Sequence, residues 1–291
     1  FVGGGATYLV CTKNATEAVN LAAYAFSNSA ANVAAGGPLT DGRGRFLLRP
    51  GDEIVVTEME HHANLVPWQE LCAKTGATLR WFGLTDDGRL DLSNAAELIT
   101  PRTKCVAVVH QSNILGTVND VARIGAWAAE VDSLFVVDGC QSIPHMPVDV
   151  QTLGADLVAW SGHKMLGPTG IGCLWGRSEV LAAMPPFISG GSMIEKGTMA
   201  GSTYARPPQR FEAGVPMTAQ AVGLAAAVDY LTDIGMANVE SYEHELTGYA
   251  LSALEAIDGV RIVGPRDNVA RGGAISFEVD GIHPHLSLIH I

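Results

Sequence analysis

Short runs of aliphatic and β-branched residues recur along this chain with helical stretches between them, and that alternation limits the fold more than any other feature. The strand candidates are Glu53–Thr57, Thr78–Phe82, Cys105–His110, Leu134–Asp138, Asp156–Trp160 and Gly172–Trp175. Helical spacing falls on Thr16–Ser27, Leu65–Thr75, Val121–Val131, Ala219–Ile234 and Ala237–Ile257. Strands that are apolar on both faces need cover on both faces, so the pattern predicts an α/β fold with a mainly parallel sheet between helices. The segment Ser29–Pro50 is rich in Gly, Asn and Ala, carries Arg43 and Arg45, and reads as an exposed loop. After Gly259 the character changes: Val260–Val263 and Ala274–Val279 look like the first strands of a second, α+β unit. The expected division is therefore a large domain over residues 1–258 and the incomplete start of a small C-terminal domain over 259–291. Leu286–Ile291 cannot complete that unit, and a truncated C-terminus is expected.

Bulk properties remove several classes of function. A formal charge of −12 over 291 residues argues against nucleic acid and against an anionic membrane surface, both of which select clustered Lys and Arg. No run of about 18 apolar residues marks a transmembrane helix. The start, Phe1-Val2-Gly3-Gly4-Gly5, has no initiator Met, basic segment or cleavage signal. Five scattered cysteines (Cys11, Cys72, Cys105, Cys140, Cys173) form no C-x-x-C pair. Cys72, Cys105 and Cys173 sit in apolar runs and read as core residues, which points to a reducing cytoplasm.

Polar clusters follow the apolar runs repeatedly. Glu60-His61-His62-Ala63-Asn64 follows the first, Gln111-Ser112-Asn113 the third, Asp138-Gly139-Cys140-Gln141 the fourth and Ser161-Gly162-His163-Lys164 the fifth. In an open α/β sheet the ligand site lies outside the carboxyl ends of the strands, so four such clusters imply one shared site. A crowded lysine at a strand end can lose its proton and form a Schiff base with an aldehyde, which makes Lys164 the candidate for covalent chemistry. Pyridoxal 5′-phosphate as the aldehyde needs a carboxylate at its ring nitrogen, and Asp138 is placed for that. Asp138 could instead serve only as a helix cap. His61 or His62 could stack on the ring; simple packing is the alternative, and no carboxylate–histidine spacing supports a metal. The phosphate needs donors at a helix start, which Ala15 and Thr16 supply, with Ser161 and His163 beside the lysine. Ordinary capping at Thr16-Glu17 is compatible with that role.

Val137–Ser142, Ser161–Gly172, Glu60–Gln69, Gly190–Ile194 and Arg210–Pro216 together resemble the class V aminotransferase superfamily, closest to its Suf-type cysteine desulfurases and selenocysteine lyases. The resemblance runs in consistent order from about Lys13 to about Gly281. It implies the type I fold of pyridoxal-phosphate enzymes, with a seven-stranded sheet, and a homodimer with its sites at the subunit interface. It also implies conversion of L-cysteine (or selenocysteine) to L-alanine, with persulfide sulfur passed to an acceptor protein for Fe–S cluster assembly. Carried over by residue, Lys164 is the Schiff-base lysine and acid/base, Asp138 the partner of the ring nitrogen and Gln141 that of the ring oxygen. His61 stacks on the ring and takes part in proton transfer. Ala15, Thr16, Ser161 and His163 hold the phosphate, Asn113 lies near substrate or ring oxygen, and Gly214 belongs to the segment that faces the partner subunit's phosphate.

Three departures qualify these expectations. Ala15-Thr16 stands where the family has Thr-Thr, and Gly214-Val215-Pro216 where it has Gly-Thr-Pro; each removes a hydroxyl, and a net hydrogen bond is worth about 0.5–1.5 kcal/mol. The family's nucleophilic cysteine and carboxylate-binding arginine lie in a C-terminal region beyond the point of divergence near His283, and none of the five cysteines here takes the nucleophile's place. The expectation is a chain that binds cofactor with little desulfurase turnover. Two other readings are another class V activity and a non-catalytic nucleotide-binding module, though the glycine fingerprint of the latter is missing.

Overall fold

The computed structural model describes residues 1–5, 8–37 and 43–283. In chain order its elements are β1 (Leu9–Thr12), α1 (Ala15–Ala34), β2 (Glu53–Thr57), α2 (Val66–Thr75), β3 (Thr78–Phe82), α3 (Ala95–Leu98), β4 (Thr103–Val109) and α4 (Val121–Glu130). They continue with β5 (Leu134–Asp138), β6 (Leu157–Ser161), β7 (Gly172–Gly176), α5 (Ser178–Ala183), β8 (Ile194–Thr198), β9 (Gly201–Tyr204), α6 (Thr218–Ile234), α7 (Met236–Glu255), β10 (Val260–Val263) and β11 (Ser276–Val279).

Strands β2, β5, β6 and β7 are buried at every position, and β4 at all but one, so the sheet has a helix layer on each face as their uniform apolarity requires. Its seven strands run in the order β1-β7-β6-β5-β4-β2-β3. The pairs β3–β2, β2–β4, β4–β5 and β5–β6 are parallel, while β7 is antiparallel to both β6 and β1. Two reversals return β1 to the direction of β6. The carboxyl ends of β1, β2, β4, β5 and β6 therefore share one edge, and α1 begins at that edge.

Helix α1 buries Ala15, Ala18, Val19, Ala22, Ala25, Phe26 and Ser29, one stripe at helical spacing, against the sheet. It continues to Ala34, which corrects the expectation of a loop from Ser29. The same segment holds a short 3₁₀ turn at Arg43–Phe46, and Phe46 and Leu48 are core residues. Gly-, Asn- and Ala-rich composition hid this, because after Ser29 the helix runs on with its side chains exposed or half-buried and no apolar stripe marks it. Residues 38–42 and Leu286–Ile291 lie outside the described residues. β1 carried too little apolar signal over four residues to be expected; the β8–β9 hairpin is exposed throughout. β10 and β11 pair antiparallel in a two-stranded sheet separate from the main one.

Candidate active site

The start of α1 is locked to the end of β6. The Ala15 N–H donates to Ser161 Oγ at 2.9 Å, so residues 146 apart in sequence meet at the shared edge. Asn14 caps the helix by accepting from the Glu17 N–H at 3.0 Å, and Glu17 reaches back to the Lys13 N–H at 2.5 Å. Gly172 on β7 makes the approach possible: a Cβ there would lie 2.5 Å from Asn14 Cα. Capping takes the Glu17 N–H and leaves the Thr16 N–H and hydroxyl at this end for an anion. The Ala15 N–H, expected at a phosphate, is taken by Ser161; Thr16 is exposed beside it.

Asp138 ends β5 with 2% of its surface exposed. Its Oδ1 accepts from the Cys140 N–H at 2.9 Å, a turn that fixes the carboxylate's direction. Among the described residues no cation lies within ion-pair distance of it. A buried carboxylate without a partner is costly, and a protonated ring nitrogen is the kind of group that relieves that cost. The Cys140 thiol marks where the strand ends converge. It lies 3.8 Å from Ser161 Oγ, and its pKa is raised by burial and by the Asp138 charge while Lys164 acts in the opposite sense. Lys164 itself is half-buried on a single 3₁₀ turn, Gly162–Lys164, that follows β6. That turn folds tightly enough for a Cβ on Gly167 to fall 2.9 Å from the Gly162 carbonyl oxygen.

His61 follows β2 and is exposed; its Nδ1 accepts from the Ala63 N–H at 3.1 Å, which leaves Nε2 as the protonated nitrogen of a neutral ring. His61 and Thr16 line one groove of about 500 Å³, with Asn20, Tyr24 and Lys74 further along it. Asn113, in the turn after β4, has a buried Oδ1 with no hydrogen-bond partner among the described residues. Gln141 is half-buried three residues past Asp138, and His163 is exposed next to Lys164. Gly214 is not gathered with these residues. It lines a second groove of about 390 Å³ with Lys13, Glu17 and Val215, on the other side of the α1 start.

One residue of the same edge carried no assigned role in the sequence. Glu60, 9% exposed, accepts from Thr57 Oγ1 at 2.8 Å, the Val109 N–H at 2.8 Å and Asn64 Nδ2 at 2.6 Å. Burial pushes its carboxyl up to about 8 in spite of those donors. An acid directly before His61 was the only signal available, because its partner on β4 is 49 residues away.

The class V aminotransferase family model matches residues 1–290, and the chain belongs to that family. Within it, the chain is 54% identical to a probable cysteine desulfurase of Mycobacterium leprae over 98% of its own length and 65% of that protein's. A solved cysteine desulfurase from Escherichia coli superposes with a TM-score of 0.85 at 36% identity, covering 95% of this chain and 64% of that one. The apo cysteine desulfurase of Thermococcus onnurineus gives a TM-score of 0.84 at 38% identity over 98% and 67%. The chain thus spans a little under two thirds of the curated relative's length. Its fold is that of these enzymes, the type I fold with a seven-stranded sheet.

Proposed function

We propose that this protein is a pyridoxal-phosphate-dependent cysteine desulfurase acting on L-cysteine, and that Lys164 is its cofactor-linking residue. The observation that carries the reading is Asp138, a buried carboxylate with no cationic partner among the described residues, at the sheet edge where Lys164 and the start of α1 also arrive. Pyridoxal 5′-phosphate, when bound, supplies an electron sink for the pair left at a substrate Cα. Asp138 keeps a proton on the ring nitrogen, and Gln141 and Asn113 bond polar groups at the ring's edge or on the substrate. His61 packs on the ring face. Thr16, Ser161 and His163 hold the phosphate at the α1 start. Lys164, half-buried and outside any ion pair among the described residues, removes the substrate Cα proton and returns it to the product.

The thiol that takes the sulfur is none of the five in this sequence. Burial raises the pKa of Cys11 to about 11, Cys72 to about 11 and Cys173 to about 12, and holds Cys105 and Cys140 above the ordinary thiol value as well. A thiol kept protonated is a poor nucleophile.

The partners follow from the same reading: a second copy of the chain and a protein that accepts the sulfur. A homodimer is supported by α6, where only Ala227 and Leu231 of 17 residues are buried, while Val222 is 72% and Tyr230 58% exposed. Five free cysteines support a reducing, cytoplasmic setting. Among the described residues no helix is long and apolar enough to cross a membrane. The separate β10–β11 sheet supports a domain boundary near residue 258. Titration of the purified chain with pyridoxal 5′-phosphate tests the central assignment. A visible absorption band that is absent in Lys164→Ala is expected; a band of equal strength in that variant removes Lys164 from the role.

A further inference from the structure

We infer that Glu60 is a positioning residue whose carboxylate sets His61 relative to Asp138, through a buried hydrogen-bond chain that only an acceptor-only side chain can complete. Glu60 lies between two elements of the site. On one side its Oε1 takes the Val109 N–H at 2.8 Å, and Val109 is the strand neighbour of Asp138 in the β4–β5 register. On the other side its Oε2 takes Asn64 Nδ2 at 2.6 Å, and the Asn64 N–H donates at 2.8 Å to the His61 carbonyl. Asn64 is fully buried and is held from behind by the Trp68 indole, whose Nε1 donates to Asn64 Oδ1 at 3.1 Å.

The direction of every bond in this chain is fixed by its two ends. A backbone N–H at Val109 and an indole N–H at Trp68 can only donate. Asn64 must therefore turn its oxygen to Trp68 and its NH₂ to residue 60. Residue 60 then receives donors on both oxygens, including the Thr57 hydroxyl at 2.8 Å, whose own oxygen is occupied by the Met59 N–H at 3.1 Å. A carboxylate, the form Glu60 takes above the value near 8 to which burial pushes it, satisfies all of these at once. The isosteric Gln cannot: with its oxygen on Val109 its NH₂ faces the Asn64 NH₂, and if Asn64 turns over, two donors meet at Trp68 instead. One buried donor–donor collision is unavoidable, and it relaxes by moving the turn His61–Asn64, which is joined to the chain of bonds through Asn64.

This inference takes its functional meaning from the proposed role of His61, but its test needs no cofactor. The ring ¹⁵N shifts of His61 are measured in the cofactor-free chain, at a pH above the value near 8 to which burial pushes Glu60. Wild type is expected to show a protonated Nε2 and an acceptor Nδ1, bonded to the Ala63 N–H. In Glu60→Gln the two shifts are expected to move toward a common average. Adding Trp68→Phe removes the donor-only end, lets Asn64 turn over, and is expected to restore the wild-type pair of shifts in Glu60→Gln/Trp68→Phe relative to Trp68→Phe alone. Unchanged His61 shifts in Glu60→Gln overturn the inference. If Glu60→Gln does not fold, a double variant that folds with wild-type His61 signals supports it, and one that fails to fold or keeps averaged shifts overturns it. None of these outcomes depends on whether pyridoxal phosphate binds.

Discussion

Asp138 is held ready for a positive charge that the chain itself does not supply. Replacing it by Asn keeps an acceptor for the Cys140 N–H while deleting the buried charge. Asp138→Asn is therefore expected to raise the melting midpoint of the cofactor-free chain, by about 1–2 kcal/mol in stability, while weakening the visible band on adding pyridoxal phosphate. A lowered midpoint in differential scanning calorimetry contradicts that account of the charge. Two other buried groups set how stability responds to pH. Glu60 has its folded pKa raised from an ordinary 4.5 to about 8, so the folded state binds its proton more tightly than the unfolded state. Its contribution to stability is present below about 4.5 and is lost as pH rises toward 8. His110 is the opposite case: desolvation lowers it from 6.5 to about 4, so its contribution is present above 6.5 and is lost as pH falls toward 4. Between pH 6.5 and 8 Glu60 adds its own slope, and melting midpoints are expected to fall with pH more steeply in wild type than in Glu60→Gln. Lys164 and Asp138 were legible in the sequence because each ends an apolar run. The Glu60 and Ser161 contacts were not, since their partners are set by which strands lie side by side.

At the scale of elements, the site depends on how closely α1 begins against β6 and β7. Ser161→Ala removes the acceptor of the Ala15 N–H and is expected to cost about 1 kcal/mol in urea denaturation. Gly172→Ala pushes a methyl toward Asn14 Cα, where all three close contacts are backbone and none can move independently. It is expected to cost more than Ser161→Ala and to weaken phosphate binding, read as a higher cofactor concentration at half-saturation. Equal costs for the two variants contradict the close approach as the controlling feature. The parallel strands were readable because burial on both faces leaves a continuous apolar run. β1 was not, since Cys11 and Thr12 dilute its signal. The true length of α1 was obscured by Asn and Ser, weak helix formers that interrupt its alanines.

For the whole molecule, an exposed α6 and the groove lined by Val215 and Lys13 describe a surface that a second copy covers in the proposed dimer. Val222→Asp together with Tyr230→Asp is expected to shift sedimentation from dimer to monomer, with far-UV circular dichroism unchanged. A wild-type chain that sediments as a monomer at tens of micromolar contradicts the dimer. The central claim is narrower: five strand ends bring Lys164 to a bound aldehyde cofactor. It is tested most directly by reducing the pyridoxal-phosphate-treated chain with borohydride and mapping the labelled peptide by mass spectrometry. The account predicts a single label on Lys164; label on Lys13 or Lys74 instead, or none at all, contradicts it.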